Sequence, residues 1–176
     1  GMTAKDQIRA MKPEARITLA KRIMPRLVDH LRYLLALHEN NAIISYSPTL
    51  SSQIPASLAG NAFKVFQQGL HQFEIVRLCA LWDSADLDKE SVPTVVELID
   101  DAQIIDLLAE ETASYWSHSD VSWLAATPGA DLPPPVLEAL RETENEFGRQ
   151  QGDKVRAGLH DAISASRTIV ASAKYA

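Results

Sequence analysis

Apolar residues recur along nearly the whole chain at alternating steps of three and four, the period of helices packed on one face. Over 13–39 the row is Ile17, Ala20, Met24, Leu27, Leu31, Leu34 and His38, a heptad seam. Pro13 suits a first helical position, and Pro25 inside the row is expected to kink the helix because it removes a backbone donor. Residues 40–56 open with Asn40 and Asn41 and read as a connection, with 43–46 as a short extended piece that does not amount to a strand. A second helix is predicted over 57–82, with Ala59, Ala62, Phe66, Leu70, Phe73, Arg77 and Leu81 facing inward. An acidic loop over 83–90 leads to Ser91, a candidate N-cap. The third helix, predicted over 92–117, turns Val95, Leu98, Ile99, Ala102, Ile105 and Leu108 inward.

A loop over 118–133, with Pro128 and Gly129, precedes a last helical pattern through Leu137, Leu140, Phe147, Val155, Leu159, Ile163, Ser166, Val170 and Ala173. Gly148, Gly152 and Gly158 each weaken a helix by ~1 kcal/mol relative to Ala, so a break is predicted near 148–153. There is no strand-period run, repeat or low-complexity tract. The expected fold class is therefore all-α: an antiparallel helical bundle of four to five main helices in a single domain over 2–176. The last apolar row is still running at Ala176, so either the last turn frays there or the natural polypeptide is expected to continue past it.

Composition narrows the function classes. The 176 residues are 46% hydrophobic and 23% charged, which excludes a disordered chain and suffices for a core without disulfides or metals. No apolar run reaches the ~18 residues of a membrane span, and no signal segment is present, so no membrane partner is expected. Cys79 is the single cysteine, which excludes intramolecular disulfides and cysteine-rich zinc sites. A reducing cytoplasm is the expected location. Between Leu78 and Ala80, Cys79 reads as inert packing. Charge is split: residues 1–32 carry eight basic side chains against three acids, and 83–144 carry fifteen acids against Lys89 and Arg141. A basic amino-terminal helix can meet a phosphate backbone. The simpler expectation is a solvated helix face, turned toward the acidic segment of the same molecule.

The chemistry-bearing residues are few. Arg77 falls on the inner row of the second helix, so its guanidinium needs an acceptor. Glu74 and Asp83 are the local carboxylates, and the three form a candidate structural polar site. Asp86, Asp88, Glu90, Thr94 and Glu97 match calcium-loop positions, but Ser91 replaces the turn glycine and Pro93 intrudes. His71 and Glu74 share a helix face as two possible ligands without a third. No metal site and no cofactor are expected. Neither a strained nucleophile turn nor a phosphate-cradling glycine loop is present.

The stretch over 63–100 carries a resemblance. It has Phe63 and Phe66, then Gln72-Phe73-Glu74-Ile75-Val76-Arg77-Leu78-Cys79-Ala80-Leu81-Trp82-Asp83, an acidic loop, Ser91-Val92-Pro93-Thr94 and an apolar helix. This resembles the AbiU-like, abortive-infection branch of the HEPN superfamily, small all-helical domains of bacterial phage-defence and toxin–antitoxin systems. The resemblance implies metal-independent RNA cleavage by an Arg and a His on a late helix, separated by four to six residues, with two copies sharing one site. Arg would stabilise phosphate charge and His would act as acid or base.

This chain departs from that motif. In the late helix only three residues separate Arg156 from His160. Arg32 and His38 fit by spacing but lie on the first helix, and chance gives about one such match in a chain of this composition. No catalytic role is therefore carried onto Arg32 or His38. The motif is expected beyond Ala176, and activity is not expected of this chain. A homodimer is expected, with RNA as a possible partner. The alternative is a non-catalytic helical dimerisation or protein-interaction module.

Overall fold

The computed structural model describes residues 1–44, 47–54, 58–117 and 131–173. These form seven helices and no strands, so the protein is all-α. The helices are α1 (Ala4–Ala10), α2 (Pro13–Ile44), α3 (Pro48–Gln53), α4 (Leu58–Leu81), α5 (Val92–Ile99), α6 (Ala102–Ser117) and α7 (Pro134–Ala173). The expected loop over 118–133 falls mostly outside the described residues, as do positions 45–46 of the expected extended piece and the final turn at 174–176. The chain divides into two compact units, Gly1–Leu98 and Ile99–Ala176.

In the first unit, α1 begins with a capping box. The Asp6 backbone N–H donates to Thr3 Oγ1 at 3.2 Å, and the Thr3 backbone N–H donates to Asp6 Oδ2 at 3.0 Å. The helix anchors through Ile8, which is fully buried, and through Lys5 and Arg9, which reach Glu97 on α5 at 3.3 and 3.1 Å. Arg16 is buried on α2. It donates to the main-chain oxygens of Leu98 at 2.9 Å and Glu97 at 2.8 Å, satisfying the carbonyls that a helix C-terminus leaves open. Arg26 pairs with Glu90. The basic amino-terminal segment thus does turn partly toward acids of its own chain. Ser91 caps α5 as expected, accepting from the Thr94 N–H at 3.3 Å.

The sequence placed several boundaries well and others wrongly. Pro25 sits inside α2, which continues unbroken to Ile44 rather than ending near 39. The buried row of α2 is Arg16, Ala20, Ile23, Leu27, Leu34 and Asn41. Ala20, Leu27 and Leu34 were expected there, whereas Met24 and Leu31 lie exposed. The single helix predicted over 92–117 is two. The chain breaks at Asp100 and Asp101, where Asp101 Oδ1 accepts from the N–H groups of Gln103 and Ile104 and caps α6.

In the second unit, α6 and α7 run antiparallel. Contacts ascend one helix as they descend the other: Gly148 meets Ser117 and Ala113, Gly152 meets Ala113 and Ala109, and Arg156 meets Asp106 at 3.0 Å. The expected break at 148–153 does not occur, and α7 is continuous from 134 to 173. Gly148 and Gly152 are sites of close approach rather than helix breakers. A Cβ on Gly148 would stand 2.5 Å from the Ala113 carbonyl oxygen, and one on Gly152 would stand 2.9 Å from that of Ala109. Packing against α6 outweighs the propensity cost of glycine. Gly158 has nothing within 4 Å of that position. Gly148→Ala should therefore lower stability by ~1–3 kcal/mol, whereas Gly158→Ala should raise it by ~0.5–1 kcal/mol. Urea unfolding of the two variants gives opposite shifts in midpoint if glycine at 148 is present for proximity.

Candidate functional site

A polar seam joins α2 to α4 in the first unit. The inward row of α4 is Gly60, Phe63, Gln67, Leu70, Glu74, Arg77 and Leu81, each buried or half-buried. It shares Leu70, Arg77 and Leu81 with the expected row and is offset by one position elsewhere. Phe66 and Phe73 are exposed in consequence. The helices are antiparallel: Gln67 Nε2 donates to the Ile44 carbonyl at 2.5 Å, Asn41 and His38 meet Glu74, and Tyr33 packs edge-on to Phe73.

Asn41 is fully buried at the centre of this seam. Its Nδ2 donates to Glu74 Oε2 at 2.6 Å and to the Leu70 carbonyl oxygen at 3.3 Å. The other oxygen of Glu74 lies 2.5 Å from His38 Nδ1. The Asn41 bond, with smaller contributions from His38 and His71, holds the Glu74 carboxyl below its usual range despite opposing desolvation. A carboxylate only accepts, so His38 Nδ1 carries the proton and Nε2 of the neutral imidazole keeps its lone pair. The His38 side chain is 62% exposed and that of Glu74 17%, so a half-buried carboxylate orients an imidazole at the surface.

Arg77 is half-buried and lies over two aromatic faces, 5.4 Å from the Tyr33 ring centroid and 5.1 Å from that of Phe73. The local carboxylates are engaged elsewhere. Glu74 faces α2, and Asp83 accepts from Lys89 Nζ at 3.1 Å and from the Ser84 backbone N–H at 2.7 Å. Those contacts, led by Lys89, hold the Asp83 carboxyl below its ordinary value and close the acidic loop on itself. Of the sequence candidates, Arg77 and Glu74 share the seam while Asp83 serves the loop. His38 and Asn41, which complete the arrangement, come from another helix. Periodicity within one helix gives no sign of such a pairing.

The other candidates resolve differently. Glu97, the twelfth calcium-loop position, is buried and turned to Lys5 and Arg9. Thr94 Oγ1 donates to the Asp86 carbonyl at 3.1 Å. No cluster of three metal-binding side chains occurs among the described residues. Arg156 is held by Asp106 and Asp153, each at 3.0 Å, and its guanidinium is stabilised in the charged form chiefly by Asp106. Two carboxylates thus already neutralise the cation of the late Arg–His pair. Arg32 is exposed, 3.7 Å from Asp29. Cys79 is exposed rather than packed in the core, because it lies off the inward row of α4. None of the described helices is long and apolar enough to cross a membrane.

The all-α fold agrees with a helical domain of the HEPN class, to which the comparison of sequences points. The family model HEPN_AbiU2, described as AbiU2, matches residues 20–174, and the chain belongs to that family. Comparison with curated proteins and with solved structures gives no match.

The Glu74 pairing has a pH signature. Its carboxyl is held below the reference value of 4.5, so its contribution to stability is fully present above that pH and is lost as pH falls through the folded-state value. Glu74→Gln should therefore cost most near neutrality. The gap between the melting temperatures of wild type and variant should narrow below about pH 4.5. A constant gap from pH 7 to pH 3 would count against the pairing.

Proposed function

We propose that this chain is the helical domain of a cytoplasmic HEPN protein that cleaves RNA without a metal and acts in phage defence or a toxin system. The observation that carries this reading is the family match over residues 20–174. The AbiU name points to abortive infection, and the α2–α4 seam holds an imidazole oriented by Glu74, with Arg77 one turn further along α4.

The working form is a homodimer. Met24, Val28, Leu31, Tyr33 and Leu35 on α2, and Val65, Phe66, Ile75, Val76 and Leu78 on α4, are all exposed. That is more apolar surface than an isolated domain ordinarily shows to water. The same surface favours a second reading, a non-catalytic helical dimerisation or protein-interaction module. Incubation of the natural full-length protein with single-stranded RNA in chelator separates the two. Cleavage is the outcome expected of the ribonuclease; intact RNA with a dimer in light scattering supports the module. Light scattering that shows only monomer at tens of micromolar counts against the dimer.

A further inference from the structure

The inward row of α4 has a counterpart on the opposite side of the helix. Leu58, Ala62, Val65, Gly69, Gln72 and Val76 follow one another at alternating steps of four and three, and all are exposed. This is the spacing by which two helices pair along a seam. Lys64, Glu74 and Arg77 are the only Lys, Arg, Asp or Glu side chains of α4, and none stands on this row or on the rows that flank it. A helix face left to water ordinarily carries the charges instead. Leu58 is 89% exposed, Val65 70% and Val76 63%, and beside them Phe66 and Phe73 are 55% and 39% exposed. These five expose roughly 600 Å² per copy. With the alanines, Gly69 and Gln72 between them, the face approaches the ~800 Å² that each partner of a stable interface buries. Gly69 lies at the middle of the row, and nothing among the described residues stands within 4 Å of where its Cβ would be. Glycine weakens a helix interior. At Gly148 and Gly152 the close approach of α6 offsets that cost; Gly69 has no such neighbour within the chain.

We propose that a second copy of this chain covers the outward face of α4, the two α4 helices packing antiparallel and crossing near Gly69. The proposal rests on the reading of the working form as a homodimer and assigns the face that makes it. A two-fold axis at Gly69 sets the first half of the row on one copy against the second half on the other: Leu58 beside Cys79, Ala62 beside Val76, Val65 beside Gln72. The face is thus complementary to itself, as an isologous interface requires. It carries no charge with which to select a charged partner of another kind. The direction follows from the flanks. One flanking row is Ala59, Phe66, Phe73 and Ala80; the other is Asn61, Gln68 and Ile75. In an antiparallel pair each flank meets its own copy, so the aromatic flanks close on one another, with Phe66 of one copy near Phe73 of the other. In a parallel pair those rings would face Asn61 and Gln68. Crossing at Gly69 lets the two backbones approach as closely as α6 and α7 do at Gly148 and Gly152.

The test is sedimentation equilibrium of the whole chain and its variants, followed by cross-linking. Val65→Glu combined with Val76→Glu should raise the dimer dissociation constant by ~10²-fold or more. Both positions are exposed, so helical circular dichroism should match wild type. Gly69→Leu, whose side chain has open space in the single chain, repeats the measurement if the double variant does not fold. Val28→Glu on α2 should leave the dimer intact. Direction is read with a short bis-maleimide, since Cys79 is the single cysteine and is exposed. Positions 58 and 79 stand ~30 Å apart along one helix, too far to be joined within a chain. Leu58→Cys should therefore give a covalent dimer, while wild type and Leu58→Cys with Cys79→Ser should not. A wild-type dimer unmoved by the Val65, Val76 and Gly69 variants, or lost only in Val28→Glu, overturns this face and leaves the homodimer reading standing. A wild-type chain that is monomeric at tens of micromolar overturns both. A covalent dimer of wild type through Cys79 overturns the antiparallel arrangement.

Discussion

The amide of Asn41 is the contact on which the first unit turns. It is fully buried on a helix whose neighbours in the same row are mostly aliphatic. A buried amide without a partner costs ~1–3 kcal/mol, so the pairing of α2 with α4 is stable where Nδ2 can reach both the Leu70 carbonyl and the Glu74 carboxylate. A shift of one position would swing Asn41 by ~100° and break both bonds. Aliphatic side chains alone tolerate several registers with little change in buried area; a buried polar pair does not. The presentation of His38 follows from that choice, because the second oxygen of Glu74 is aimed at it only when the first is held by Asn41.

The two units build their antiparallel helix pairs by different means. Between α2 and α4 the contact is polar and side-chain mediated, through Gln67, Asn41, Glu74 and the Arg77 guanidinium on its two rings. Between α6 and α7 it is steric: Gly148 and Gly152 bring the backbones close against Ala109 and Ala113, and Arg156 with Asp106 and Arg167 with Asp100 tie the pair further along. A glycine-mediated contact is rigid because backbone atoms have no rotamers to exchange.

Much of the helical layout was legible in the sequence, and the physical reasons are local. The caps at Ser91 and the start at Pro13 depend on residues next to them. The rows containing Ala20, Leu27, Leu34, Leu70, Arg77 and Leu81 follow from period. What failed was the reading of apolarity as burial. On α2 the true row passes through Arg16 and Asn41, and on α4 through Gln67 and Glu74, so a search for the most apolar stripe settles one position away. The glycines of α7 failed for a related reason: propensity sees only the cost of Gly in a helix and not the neighbouring backbone that needs the space. The Glu74–His38 pair was out of reach because its members stand 36 positions apart, and no periodicity within a helix encodes which residue of another helix will face it. Asp100 and Asp101 were visible as charges, but their capping of α6 inside a continuous apolar pattern was masked by that pattern.

Helix geometry distinguishes the spacing match on α2 from the polar seam that α2 and α4 form together. Residues six apart on a helix are rotated by ~120° from each other, so Arg32 and His38 point to different sides. Arg32 is left in solvent beside Asp29. Glu74 and Arg77 are three apart, ~60° in rotation, and lie on the one face of α4 that is turned to α2. The antiparallel approach sets Glu74 opposite His38 and Arg77 opposite Tyr33. Carboxylate, imidazole and guanidinium are thereby drawn from two helices, with Asn41 buried at the centre of the seam. Glu74 is thus supported from the interior by Asn41, while His38 is the most exposed side chain of the set.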